Sequence, residues 1–116
     1  MAKSEFALRG NFDEILGAIE NGIMTGSVSA SLEDETDISL GDVRCAVRVF
    51  ERYSMMGSNR VSLNVTLLGQ GEKVLLSAIT AGGSQAMFFK INTFGERAFL
   101  EHVNKVAQRY SYFPVD

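Results

Sequence analysis

The chain contains one cysteine, one proline, one histidine and no tryptophan among its 116 residues. A single cysteine excludes an internal disulfide, and a single histidine means that a histidine-based metal site would need carboxylates or Cys45 as its other ligands. The scarcity of proline, together with an apolar content of 46%, is not the composition of a disordered chain. We therefore expect one domain, residues 1–116, stabilised by a hydrophobic core.

Long apolar runs are also missing. The residues from Met1 to Glu5 have no apolar centre of the kind that a signal peptide requires. No later run approaches the length needed to span a bilayer. We therefore expect a cytoplasmic protein with no membrane partner.

Positive charge is scarce in the first part of the chain. Residues 1–42 carry nine acidic and two basic side chains, whereas residues 43–116 carry nine basic and five acidic ones. The opposite net charges predict that the two parts pair within one fold. The basic residues are too dispersed for a nucleic-acid interface, so we expect no nucleic-acid partner.

The centre of the chain has a strong period of two. Apolar residues alternate with an arginine-bearing row at Val43, Arg44, Cys45, Ala46, Val47, Arg48, Val49 and Phe50. A second alternating run follows at residues 60–67. Alternation of this length predicts two paired strands, over residues 43–54 and 60–67, each with one apolar and one polar face.

The flanking segments complete an α+β pattern. Weaker alternation predicts further strands at residues 4–9, 27–33, 73–80 and 87–92. Capping boxes start two helices: Asn11 with Glu14 opens one that ends near Gly22, and Thr93 with Glu96 opens a long C-terminal one. The predicted order is β-α-β-β-β-β-β-α. It indicates an antiparallel sheet of five or six strands with both helices packed on one face.

The apolar rows determine the predicted register if all of them face the helices. Under that condition Val47 pairs with Ala30 of the strand at 27–33, and Leu63 pairs with Ala78. Val47 and Leu63 then both lie beneath the helices. A slip of one residue would turn every side chain of a strand to the other face.

The opposite face of the predicted sheet keeps apolar residues that a fully solvated face would not. Phe50, Leu75 and Ile79 lie there by the predicted register, rimmed by polar side chains, which is typical of a partner surface. A second copy of the chain on this face would make a symmetric homodimer. The leading prediction is a non-enzymatic, self-associating protein that uses these three residues.

A small molecule is the alternative occupant. Guanidinium groups match carboxylate and phosphate, which favours an anionic ligand on the arginine-bearing face, and a cavity under the C-terminal helix would suit an apolar one. The glycine-rich turn at residues 82–85 offers backbone amides to an anion near the same end. The candidate ligand-binding residues are Arg44, Arg48, Arg52, Asn64, Ser84, Gln85 and Lys90.

No combination of residues predicts catalysis. The sequence has no nucleophile elbow, no paired carboxylates at a diagnostic spacing and no zinc motif. Cys45 has no histidine near it in sequence, and the acidic run at residues 33–37 lacks the ligand spacing of a calcium loop. We therefore expect neither a cofactor nor a metal, and an enzyme is the least favoured class.

Several strings of the sequence resemble a known family. They are RVFERYS at residues 48–54, NRVSL at 59–63, GGSQA at 82–86 and FFKINTFGE at 88–96, together with SVSASLE at 27–33. These strings resemble DUF6054, a family of small uncharacterised bacterial proteins, over nearly the whole chain. The resemblance implies a bacterial, cytoplasmic setting and no particular activity. The order of elements also resembles a helix-grip fold, which concerns the fold alone.

Overall fold

A computed structural model describes residues 1–53, 60–82 and 89–111, and within them the chain forms five strands and two helices. The strands are β1 (Ala2–Arg9), β2 (Ser31–Leu40), β3 (Val43–Tyr53), β4 (Arg60–Gln70) and β5 (Lys73–Gly82). The helices are α1 (Phe12–Gly26), which follows β1, and α2 (Phe89–Tyr110), which follows β5. The single-domain prediction is consistent with this arrangement and is not tested further by it.

The five strands pair antiparallel in one sheet of order β1-β5-β4-β3-β2. Tight turns at Gly41 and Gly71 join β2 to β3 and β4 to β5. Both glycines have φ near +60°, at 60° and 61°, a conformation that costs glycine little and other residues more. The sheet is therefore a run of four sequential strands, with β1 added beside β5.

Both helices pack on one side of the sheet, here called the helix face, and the core lies between the two layers. Every second residue of β4 points into this core. The largest fully buried side chains of the core, which come from both layers, include Phe50, Leu63, Leu67, Ile15, Ile19, Ile23, Phe99 and Val103. Because each such side chain stabilises the fold by about 1.5–3 kcal/mol when fully buried, this two-layer core is the main stabilising contribution.

Helix α1 continues past Gly22, where the sequence predicts its end, to Gly26. A Cβ on Gly22 would lie 2.8 Å from Val106 Cγ2 of α2, and one on Gly26 would collide with the His102 ring. These glycines are four residues apart and so share one face of α1. Gly22 is therefore a residue of the helix–helix contact and not a helix stop.

The predicted fold class, α+β with an antiparallel sheet and two helices, is confirmed. One predicted strand is wrong in part, because residues 89–92 form the first turn of α2, while residues 87 and 88 lie outside the described residues. Strand β2 also differs: it covers Ser31–Leu40, whereas the sequence predicts a strand at residues 27–33.

Strand β3 faces the opposite way from the prediction. Ala46, Arg48 and Phe50 are buried under the helices, whereas Val47 points to the other side of the sheet, opposite Thr36 and not Ala30. Burying Phe50 removes more apolar surface from water than burying a valine. A buried arginine is tolerated here because carboxylates of two neighbouring elements neutralise it.

The pairing of β4 with β5 also differs from the prediction, but with no change of face. Leu63 lies opposite Thr80 and not Ala78, a shift of two residues. Because side chains alternate with a period of two, such a shift leaves each one on its predicted side. Leu63 therefore faces the helices, while Leu75 and Ile79 face away.

Candidate functional site

The side of the sheet that lies away from the helices, here called the open face, carries large apolar side chains. The exposed fractions are 61% for Ile38, 56% for Leu75 and 41% for both Leu68 and Ile79. These values show that no described element covers the centre of this face. Scattered apolar residues are normal on a surface, but a contiguous apolar patch marks an interaction site.

One row of residues crosses the open face from edge to edge without a charged group. The register aligns Ala7, Leu75, Leu68, Cys45 and Ile38, one residue from each strand. With neighbouring strands about 4.8 Å apart, this apolar row extends over about 19 Å. It is the largest continuous apolar feature that the register places on the open face.

The surface around the apolar row is shallowly concave. A depression of about 490 Å³ is lined in part by Ala7, Leu68 and Leu75. A second, of about 250 Å³, lies nearer the turn ends of the strands, beside Val43 and Lys73. The open face is therefore not flat but has two shallow depressions along the apolar row.

Arg48, by contrast, lies on the helix face of β3 and is only 6% exposed. Its Nε donates to Glu20 Oε2 of α1 at 2.8 Å, and its Nη2 donates to Asp37 Oδ1 of β2 at 3.1 Å. Its Nη1 donates to the Thr36 carbonyl at 3.2 Å, and Glu35 Oε2 lies 3.3 Å from Nε. Each guanidinium nitrogen thus already has a protein partner.

The protonation of Arg48 follows from these contacts. Burial by itself would lower its pKa, but the hydrogen bonds to Glu20 and Asp37 outweigh that effect and raise the pKa above its ordinary value. The guanidinium stays charged and holds α1 and β2 against β3. Its position is that of a structural ion pair and not of an unoccupied anion site.

The other two arginines of β3 are also engaged on the helix side. Arg44 pairs with Asp13 of α1 through Nη2 and Oδ1 at 2.8 Å, and this hydrogen bond lowers the pKa of Asp13. Arg52 lies 4.7 Å from the centre of the Phe99 ring and donates to Ser27 Oγ at 3.3 Å. Burial lowers the pKa of Arg52.

The structure divides the residues predicted for self-association. Leu75 and Ile79 lie on the open face, as the predicted register has them. Phe50 is 1% exposed beneath the helices, so its predicted place in the contact is wrong. The cause is the orientation of β3, which buries Phe50 under the helices and places Val47 and Val49 on the open face instead.

The predicted ligand-binding residues do not come together either. The arginines Arg44, Arg48 and Arg52 lie on the helix face, so their predicted place on the open face is wrong for the same reason as that of Phe50. Asn64 lies on the open face, in the middle strand. Lys90 lies in the first turn of α2, and Ser84 and Gln85 lie outside the described residues.

Sequence reasoning missed Ile38 and Cys45 as open-face residues. Ile38 lies beyond the strand predicted at residues 27–33, yet the string Asp37-Ile38-Ser39-Leu40 has the period of two that indicates a strand. Cys45 belongs to the apolar row of β3 that the sequence predicts to face the helices. Taking Leu40 and Val43 as partners across a two-residue turn at Gly41 would place both correctly.

In residues 1–53, 60–82 and 89–111, no group of three or more His, Cys, Asp or Glu is placed to hold a metal ion. Neither described helix is long and apolar enough to cross a bilayer.

A helical layer on one face of an antiparallel sheet, with an apolar row exposed on the other face, defines a two-layer α+β protein. The chain belongs to DUF6054, a family of unknown function, whose family model matches residues 1–111. The resemblance seen in the sequence is thereby confirmed. No curated protein matches the chain.

Proposed function

We propose that this protein is a non-enzymatic, self-associating domain whose open face binds a second copy of the chain. The observation that supports the proposal is the apolar row, which spans all five strands and ends at the exposed Ile38. A monomer would leave this row in water, whereas a face-to-face pair would cover it from both sides. The hydrophobic effect then favours association.

The size of the open face suits a dimer. Five strands about 4.8 Å apart and about 30 Å long give a contact of roughly 700 Å² on each copy. The total, roughly 1,400 Å², lies within the range of stable protein–protein interfaces. Two sheets packed in this way form a β-sandwich about 10 Å thick, with the helices on its outer surfaces.

Analytical ultracentrifugation of matched variants tests the proposal. We expect the parent protein to sediment as a dimer and Leu75→Glu as a folded monomer, because the substitution puts two carboxylates into the apolar contact. Met24→Glu is the control, since Met24 is also exposed, at 43%, but lies on α1. A parent protein that stays monomeric at high concentration would overturn the proposal.

An apolar small molecule on the same face is the second candidate. The depression beside Leu68 and Leu75 favours it, because ligand sites are concave and mostly apolar. A fatty acid bound there would raise the melting temperature and compete with dimerisation. If fatty acids leave both the melting temperature and the sedimentation unchanged, this candidate is rejected.

A further inference from the structure

The two edges of the open face differ in charge. Lys3 and Arg9 of β1, with Lys73 of the adjacent β5, make one side mostly basic, with Glu5 as the acidic residue among them. The β2 side carries Asp34. On this face the middle strand contributes Arg60 at its start, which pairs with Glu51 of β3, and then only uncharged residues: Ser62, Asn64, Thr66, Leu68 and Gln70.

Lys3 and Asp34 lie in the same row of the sheet. The register aligns Lys3, Ile79, Asn64, Val49 and Asp34. The two charges therefore lie on either side of Asn64, each two strands from it, at about 10 Å. Both side chains are exposed. A rotation about β4 would exchange their positions.

In a face-to-face dimer whose two sheets pack with aligned strands, the two-fold axis lies between the sheets and runs roughly along the strands or across them. An axis along β4 places β1 of each subunit over β2 of the other. Lys3 then meets the partner's Asp34, Ala7 meets the partner's Ile38, and Leu75 meets the partner's Cys45. Opposite charges thus face each other at the rim, and in the apolar row a larger side chain faces a smaller one on either side of Leu68, which meets its own copy.

An axis across the strands gives a poorer match. When this axis is centred on the row that contains Glu5 and Thr66, it places Glu5 against the partner's Glu5 and stacks Asn64 on the partner's Leu68. Moving the axis to the apolar row separates the carboxylates but leaves only part of the sheets overlapping. The contact then falls to about 800 Å², below the roughly 1,000 Å² expected of a specific interface.

We infer that two copies of the chain pack with their two-fold axis parallel to β4, so that Lys3 of each subunit pairs with the partner's Asp34. This inference rests on the proposed self-association and adds the orientation of the partner. The apolar row supplies the attraction. The two symmetry-related ion pairs at the rim favour this orientation, whereas the alternatives either place Glu5 opposite the partner's Glu5 or bury a smaller contact.

Charge reversal tests the orientation. In Lys3→Asp and in Asp34→Lys, each homodimer places like charges opposite each other twice, so we expect the dimer dissociation constant to rise about tenfold in either variant. An equimolar mixture of the two variants should restore the parent's affinity, because its heterodimer pairs opposite charges at both positions. Both sites are exposed, and circular dichroism checks that the variants are folded.

Glu5→Gln provides an independent check. With the axis along β4, Glu5 faces the partner's Thr36, and the substitution should leave the affinity within about twofold. Tighter association of Glu5→Gln, or a mixture that does not regain affinity while the parent still dimerises, would overturn the orientation. A monomeric parent would instead overturn the proposed self-association itself, so the two failures are distinguishable.

Discussion

At the scale of single residues, two glycines of α1 show how surroundings decide the effect of the same substitution. Gly17 has open space where a Cβ would be added, whereas a Cβ on Gly22 would lie 2.8 Å from Val106 Cγ2. Both positions are helical, so alanine gains the same helix propensity at each, about 1 kcal/mol. Only Gly22 also contacts the neighbouring helix.

We therefore predict that Gly17→Ala stabilises the protein and that Gly22→Ala does not. The clash with a stiff valine should make Gly22→Ala about 1–3 kcal/mol less stable than Gly17→Ala. Urea unfolding of the two variants measures the difference directly. Equal midpoints would show that α1 and α2 are not in close contact at Gly22.

His102 provides a pH-dependent prediction. Burial, and next the nearby charges of Arg52 and Lys105, lower its pKa below the ordinary value of 6.5, while Glu101 acts in the opposite direction. The folded state therefore binds the proton less well than the unfolded state. Stability is fully present above pH 6.5 and is lost as the pH falls through 6.5 towards the lower, folded pKa.

We expect His102→Gln to flatten this dependence between about pH 7 and pH 5, because glutamine does not titrate. The control is the same variant well above pH 7, where the slope of stability against pH should match that of the parent. Thermal melts over the pH series measure the slopes. An identical slope in both proteins below pH 7 would contradict the prediction.

Residue types mislead where their surroundings are unusual. Arginine is a residue type usually found at the surface, yet the carboxylates of Glu20 in α1 and Asp37 in β2 make the burial of Arg48 possible. Gly22 has the appearance of a helix stop, yet it lies within α1 at the contact with α2. Both depend on neighbours distant in sequence, which local patterns do not show.

At the scale of elements, Arg48 connects α1, β2 and β3 through one guanidinium group. Edge strands depend on few contacts, and β2 pairs only with β3 in the sheet. The ion pairs of Arg48 with Glu35 and Asp37 join the mostly exposed side chains of β2 to a buried residue of β3. Removing the guanidinium should therefore loosen β2 first.

We predict that Arg48→Met destabilises the protein by about 1–3 kcal/mol, since it leaves the Thr36 carbonyl without this donor and the carboxylates without their counter-charge. Hydrogen exchange should increase most in β2. Arg44→Met is the matched control, because its partner Asp13 is exposed and solvent screens that pair. A uniform increase in exchange, or equal losses in the two variants, would contradict this role.

The acidic residues of β2 also affect whether two copies of the chain can associate through this edge of the sheet. Glu33, Asp34, Glu35 and Asp37 lie along an edge strand, where like charges oppose the pairing of two such edges. The irregularity between Leu32 and Asp34 disturbs the edge further. Association through this edge is thus disfavoured, which leaves the open face as the better contact.

At the scale of the whole molecule, the sequence was sufficient for the fold class but not for every strand orientation. The helices and β4 each have one dominant apolar face, and the error of two residues in the register of β4 with β5 does not change which side faces the core. Strand β3 has valines on one face and Phe50 on the other, so its pattern is compatible with either orientation. Which residues of β3 lie on the open face therefore does not follow from the sequence pattern alone.

Self-association predicts that thermal stability depends on protein concentration. Because the dimer is favoured by mass action, a tenfold increase in concentration should raise the melting temperature by roughly 3–5 °C for two chains of this size. The Leu75→Glu variant, with its contact disrupted, should melt at one temperature throughout the series, whereas Met24→Glu should follow the parent. Calorimetry over a hundredfold range of concentration measures these shifts. A parent protein whose melting temperature stays constant over that range would show that folding occurs without a partner and that the open face faces water.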